Sequence, residues 1–391
     1  MILGFYYHSA FSHKNGSYCV PGYIGVFIDS IAEQVDQLYL FLEEQQDQNS
    51  QEEDYSLKGK NITMINLGYK STFYSRILKP GKQLKIINEH IKLIDAFLVR
   101  MPTPLGPHII NSVKKNTATF ALLVGNYTKG LNSLKQPLIR KIGISLLTYY
   151  YQFLQNRTLK NQFIFVNSGE LLKDNAQISK QITLIKTTTL SKESFYQRED
   201  TCTNNVFKIL FTGRINFQKG LRELIDAIAT LQPKYNIELH IVGWEEPSSF
   251  NYQQQLQQLS DNLGINSKVF FHGKKKIGPE LDAFYRLADI YVIPSYHEGF
   301  PRTIWEAMAN SVPVIATNVG SIPYYLEHKK NAIIIEPKNS IEIANAIELI
   351  INDTELRKRL IKNAYLYSKE VTLEHQSKLL IDKIKSQINE Q

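Results

Sequence analysis

The chain predicts an α/β protein built of two Rossmann-like domains, each a parallel sheet wrapped by helices, with the sheets facing an interdomain cleft. Its 391 residues are enough for two cores of ordinary size. Short apolar runs alternate with longer amphipathic or irregular stretches in both halves, the pattern of repeated βαβ units. The polar, charged stretch Leu190–Asn205 separates the two series, as a linker would. An apolar content of 43% is that of a globular chain and excludes disorder.

In the first series the expected strands are Ile2–Tyr7, Leu38–Leu42, Ile62–Leu67, Ala96–Met101, Thr119–Val124 and Phe163–Asn167. Each is an apolar run of strand length ended by polar or turn residues. The second series reads Lys208–Thr212, Glu238–Val242, Val269–Phe271, Ile290–Ile293, Val314–Ala316 and Ala332–Ile335. Leu131–Leu159 mixes apolar, aromatic and basic residues. Its periodicity reads as a core helix leading into Phe163–Asn167, with a helix lying at a membrane interface as the alternative. Glu374–Gln391 reads as a final amphipathic helix. Ligands of such sheets bind at the carboxyl ends of the strands.

The most informative stretch runs from His297 to Glu306, where seven residues separate the carboxylates of Glu298 and Glu306. Upstream, Ile290–Ser295 is a buried strand closed by Pro294. Downstream, Thr303–Asn310 is a helix, and Gly299 and Pro301 let the backbone turn before it. Glu298 therefore belongs to the loop and Glu306 to the helix. Free N–H groups at a helix start bind an anion, with Gly299, Phe300, Arg302 and Thr303 as donors since Pro301 has none. The carboxylates accept bonds from hydroxyls. A sugar nucleotide carries both kinds of group.

Two further strand ends carry chemistry. Gly213-Arg214 closes Lys208–Thr212, and Lys219-Gly220 opens the next helix, which places two cations on one loop. The alternative is an ordinary basic loop capping a strand. At Gly243, after Glu238–Val242, the lack of a side chain allows close approach of backbone to a base or ribose. Trp244 beside it reads equally as a base-stacking ring or as packing.

Together, Glu298–Glu306, Ala307-Met308-Ala309, Val312–Thr317, Phe211–Gly220 and Leu239–Gly243 resemble the retaining glycosyltransferases of family 4, which have the GT-B fold. The resemblance covers the second half of the chain. It implies that Arg214 and Lys219 hold the donor's diphosphate, that Glu298 orients the donor sugar, and that Glu306 accepts the ribose hydroxyls. It makes Gly273, in Phe271-His272-Gly273, part of the base-contacting loop. Pro21–Gly25 resembles the family's glycine-rich first loop, so the backbone of Gly22 and Gly25 is expected to approach the diphosphate. Arg100 and His108 stand where many relatives place an acceptor-side histidine. The implied domains are 1–190 for the acceptor, 206–370 for the nucleotide sugar, and a helix at 371–391 crossing back to the first. No cofactor and no metal are expected; the donor is a nucleotide diphosphate sugar, UDP or GDP being the expected nucleotides.

Charge is uneven. Residues 1–54 hold one Lys or Arg against nine Asp or Glu, residues 55–198 hold 22 against five, and residues 201–391 hold 22 against 21. The basic stretch suits an anionic membrane surface or a lipid diphosphate. Nucleic acid is not expected, because no binding motif accompanies the charge. The two cysteines, Cys19 and Cys202, are too few for a disulfide framework and point to a reducing compartment. With no apolar run long enough to span a bilayer, the expected location is cytoplasmic, peripheral at the inner face of the membrane at most. These readings converge on a retaining, metal-independent glycosyltransferase acting on a glycan or lipid-linked acceptor in cell-surface polysaccharide or glycolipid synthesis. The rivals are a GT-B sugar-nucleotide epimerase and a non-catalytic sugar-nucleotide-binding partner of another transferase.

Overall fold

The computed structural model describes residues 1–14, 16–46, 54–70, 80–114, 117–128, 137–160, 162–245 and 251–390. The chain divides into two compact units, the first Met1–Thr187 with Glu374–Gln391 and the second Thr188–Leu373.

The first unit contains strands β1 (Ile2–Lys14), β2 (Ser17–Val20), β3 (Gln37–Glu44), β4 (Tyr55–Ser56), β5 (Ile62–Tyr69), β6 (Ala96–Met101), β7 (Ala118–Leu123), β8 (Phe163–Val166) and β9 (Ile182–Leu184). A parallel sheet runs β5-β3-β1-β6-β7-β8-β9. β1, with 13 residues, is more than twice its expected length. Beyond the parallel sheet it turns into an antiparallel pair with β2, which in turn pairs β4. Its alternating residues feed cores on both faces, Leu3 and Phe5 on one and Tyr6 on the other. Burial on both faces is why such strands read as unbroken apolar runs. Helix Leu373–Asn389 adds Leu380, Ile381 and Ile384 to the core that holds Leu3 and Phe5. Its Gln376 side chain accepts from the N–H of Lys186, 2.8 Å away.

Helix Leu138–Leu159 departs from its core reading. It buries Tyr151, Gln155 and Leu159, but the opposite face leaves Ile139, Ile142, Leu146 and Phe153 in solvent. Apolar residues lie all round this helix, so periodicity could not say which face meets the core. Residues 131–136 of the expected segment lie outside the described residues.

The second unit contains β10 (Phe207–Thr212), β11 (Ile237–Val242), β12 (Val269–Phe271), β13 (Ile290–Ile293), β14 (Val314–Thr317) and β15 (Ile333–Ile335). All pair in parallel in the order β12-β11-β10-β13-β14-β15. The order reverses between β10 and β13, the topological switch point where doubly wound sheets bind ligands.

The stretch Leu190–Asn205 is not a solvated linker. It is strapped to the second unit: the N–H of Tyr196 donates to the Ala309 carbonyl at 2.9 Å, and Arg198 donates to the Tyr285, Arg286 and Ala288 carbonyls. Arg357 holds the Asp200 carboxylate through two nitrogens, at 2.6 and 3.0 Å. Arg198 and Asp200, two of the charged residues that suggested a linker, are engaged by partners distant in sequence, which composition does not reveal.

Candidate active site

β10 and β13 lie side by side, and the loops at their carboxyl ends carry the expected residues. After β10 come Gly213 and the exposed Arg214, then a single 3-10 turn, Phe217–Lys219, capped by the Asn216 side chain, which accepts from the N–H of Gln218 at 3.1 Å. After β13 come Ser295, Tyr296, His297 and Glu298. The Lys219 ammonium forms an ion pair with the Glu298 carboxylate, which also accepts from the Ser295 hydroxyl at 2.7 Å. Both charged side chains are largely buried, 13% and 11% exposed, so the pair is shielded from the screening that weakens surface pairs.

Backbone packing sets the loop positions. Gly220 has φ +64°, and a Cβ there would lie 2.0 Å from the Pro294 carbonyl oxygen, so the two loops touch where only glycine fits. Gly320, φ +57°, does the same beneath Glu298: a Cβ would stand 1.7 Å from that residue's carbonyl oxygen. The N–H of Ser321 donates to the Gly299 carbonyl at 2.8 Å, tying the same turn. Gly320→Ala is expected to lower stability by about 1–3 kcal/mol, the usual cost of forced overpacking. Urea unfolding followed by fluorescence of buried Trp305 measures it.

Gly213, Gly243 and Gly273 stand at the ends of adjacent strands β10, β11 and β12. The Gly213 N–H donates to the Val242 carbonyl at 2.9 Å, and the Gly243 N–H to the Gly273 carbonyl at 3.0 Å. A Cβ on Gly243 would sit 1.7 Å from the Gly213 oxygen. Close packing of these strand ends is itself a sufficient reason for glycine at 243. Trp244 is 43% exposed with the Lys274 ammonium 5.2 Å from its ring centre.

Helix Thr303–Ala309 follows the turn. In its first turn the N–H groups of Ile304 and Trp305 donate to the Pro301 and Arg302 carbonyls, at 3.1 and 2.9 Å. Phe300 stacks on Trp305, ring centres 4.4 Å apart, so its side chain serves packing and only its backbone faces the turn. Glu306 is buried, and its carboxylate accepts from the Thr189 hydroxyl at 2.5 Å and the Tyr285 hydroxyl at 2.8 Å. The chain of bonds continues: Tyr285 to the Thr212 hydroxyl at 2.7 Å, Thr212 to Tyr291 at 3.3 Å, and Tyr291 to Thr303 at 2.6 Å. Burial, joined by the charge of Glu306, holds the Tyr285 phenol far above its ordinary range. Burial likewise raises that of Tyr291, to which Glu306 and Glu298 both contribute. Sequence reasoning missed Thr189, Thr212, Tyr285 and Tyr291. Only Thr212, at the end of β10, and Tyr291, within β13, carried a signal, polar groups in otherwise apolar runs.

Asp282, on helix Pro279–Leu287, is pushed up to about 6 by burial and then by the charge of Glu306, with Arg286 opposing. A carboxyl raised on folding holds its proton longer in the native state, so stability should fall as pH rises from about 4 to about 6. Asp282→Asn is expected to flatten that part of the melting-temperature profile.

In the first unit the expected residues occupy other settings. The Gly22 N–H donates to the Asp54 carboxylate at 2.8 Å, and a Cβ on Gly25 would lie 2.2 Å from the Tyr55 ring, so both glycines are engaged within the unit. Arg100, near the end of β6, lies 3.0 and 2.9 Å from the two ring nitrogens of His8 and 4.3 Å from the centre of the Tyr7 ring. His108 is half-buried in helix Gly106–Val113. His8, reached only because β1 pairs with β6, was not legible beforehand. Among the described residues no cluster of three His, Cys, Asp or Glu could hold a metal ion, and no helix is long and apolar enough to cross a membrane.

Residues 194–367 match the family model described as glycosyl transferases group 1. An uncharacterised glycosyltransferase of Methanocaldococcus jannaschii is 35% identical over 156 residues, 40% of this chain and 38% of its own length. A D-inositol 3-phosphate glycosyltransferase of Corynebacterium jeikeium is 32% identical over 150 residues, 38% of this chain and 36% of its own. The alignments thus span well under half of these relatives. HepE of Anabaena, solved in complex with UDP and glucose, superposes with a TM-score of 0.72 at 19% identity, covering 99% of this chain and 100% of that one. The fold is that of the GT-B glycosyltransferases, and the second unit carries a glycosyl transferases group 1 domain.

Proposed function

We propose that this chain, whose second unit carries a glycosyl transferases group 1 domain, is a retaining, metal-independent glycosyltransferase of family 4. It moves a sugar from a UDP- or GDP-sugar to a glycan or lipid-linked acceptor in the cytoplasm, in cell-surface polysaccharide or glycolipid synthesis. The observation that carries this reading is the Lys219–Glu298 pair at the switch point between β10 and β13. A cation and a carboxylate held together there match the two needs of a sugar nucleotide, charge neutralisation and hydroxyl recognition. As the glycosidic bond to the diphosphate breaks, negative charge grows on the phosphates, and Lys219 with Arg214 stabilises it. The N–H groups of Gly299, Phe300, Arg302 and Thr303 add neutral donors to the same anion. Glu298 orients the sugar, and the free lone pairs of Glu306 accept the ribose hydroxyls. HepE binds UDP and glucose in the same fold, which supports a nucleotide sugar as ligand.

A thermal-shift series with UDP-, GDP- and ADP-sugars tests the donor. A ligand at about a hundred times its Kd stabilises by about 2.7 kcal/mol. The best binder is then incubated alone and with trial acceptors. Transfer only when an acceptor is present, with retained anomeric configuration by NMR, is the expected result. A new sugar nucleotide formed from donor alone would make the protein an epimerase, and binding without turnover across acceptors would make it a non-catalytic partner.

A further inference from the structure

Helix Leu138–Leu159 turns an apolar face to solvent. Ile139, Ile142, Leu146, Tyr149, Tyr150 and Phe153 recur every three or four residues on the side opposite buried Tyr151 and Gln155. Ile139 is 86% exposed and Phe153 61%, and the stripe runs about 21 Å along the axis. Large side chains in such a row are far from the scattered exposed apolar residues of an ordinary surface. Exposed Arg157 and Lys160 lie on the stripe's own side of the helix at one end, and exposed Arg140 stands in the first turn at the other. Residues 96–169 hold nine Lys or Arg and no Asp or Glu.

We propose that this stripe docks the first unit on an anionic lipid surface. The apolar and aromatic side chains enter the boundary between headgroups and acyl chains, and the framing cations meet lipid phosphates. Charge selects this occupant over a second copy of the chain. Two such faces brought together would place cations against cations with no carboxylate on the helix to offset them, whereas anionic headgroups offer the opposite sign. A helix that lies in the interface needs no membrane-crossing length.

The test uses the full chain with vesicles of phosphatidylcholine, with and without phosphatidylglycerol. The protein should float only with the anionic vesicles, and less at 1 M salt, where the Debye length is about 3 Å, than at 0.1 M, where it is about 10 Å. Ile139→Ser, Leu146→Ser and Phe153→Ser combined should reduce flotation at least about tenfold. In the unaltered protein, hydrogen exchange within Leu138–Phe153 should slow on anionic vesicles, a readout that needs no variant to fold. Equal flotation with neutral vesicles, or none with either, overturns the proposal. So does a concentration-dependent dimer that the triple substitution dissolves, which would assign the face to a second copy. Nucleotide binding by the second unit is measured in the same variants, so failure here and failure of the transferase reading are separable.

Discussion

Lys219→Ala is expected to lower sugar transfer by about a hundred- to a thousand-fold, the range seen when one preorganised charge-stabilising group is removed. Two effects add. The developing charge on the leaving diphosphate loses a cation, and the Glu298 carboxylate loses the ammonium that neutralises it while keeping the Ser295 hydroxyl. An unpaired carboxylate beside phosphate repels the donor in the ground state as well, so KM should rise while kcat falls. Lys219→Arg should restore little, because a planar guanidinium cannot take the place of a compact ammonium between Glu298 and a phosphate. Arg214→Ala should lower turnover by a comparable factor with less effect on stability, since Arg214 is exposed. Steady-state kinetics beside a melting curve checks both. Near-normal turnover in folded Lys219→Ala or Arg214→Ala would falsify the proposed clamp.

Glu306→Gln should weaken donor and free nucleoside diphosphate alike and also destabilise the fold. The carboxylate accepts from both Thr189 and Tyr285, and an amide offers only one oxygen. One hydroxyl must then face an NH₂ group, an unmet buried donor that costs about 1–3 kcal/mol. Tyr285→Phe separates the roles, because it disturbs the buried network while leaving the carboxylate in place. If ribose binding depends on the carboxylate itself, the Tyr285 variant should keep most of its nucleotide affinity and lose stability, and the Glu306 variant should lose both. Glu298→Gln should spare the free nucleotide and damage transfer. Calorimetric titration with UDP and GDP supplies the comparison; unchanged affinity in Glu306→Gln removes it from the ribose.

The sequence by itself determined most of the strands, though not β2, β4 or β9, nor the far half of β1. Ala96–Met101, Val269–Phe271 and Ile290–Ile293 form at the expected bounds, because these runs are apolar but for Arg100 and end where polar or turn residues begin. It also placed Arg214, Lys219, Glu298 and Glu306 at strand ends and a helix start, since glycines and prolines mark those positions locally. The tertiary structure alone decided what these residues touch. Lys219 meets Glu298 across 79 positions of sequence because β10 neighbours β13, and strand order is a property of the sheet, not of any window of residues. The same long-range pairing put His8 beside Arg100, buried a tyrosine–threonine network under Glu306, and strapped Leu190–Asn205 to the second unit. It also chose which face of Leu138–Leu159 meets the core. Apolar residues surround that helix, so local periodicity is nearly symmetric there, and only the shape of the surface it packs against breaks the tie.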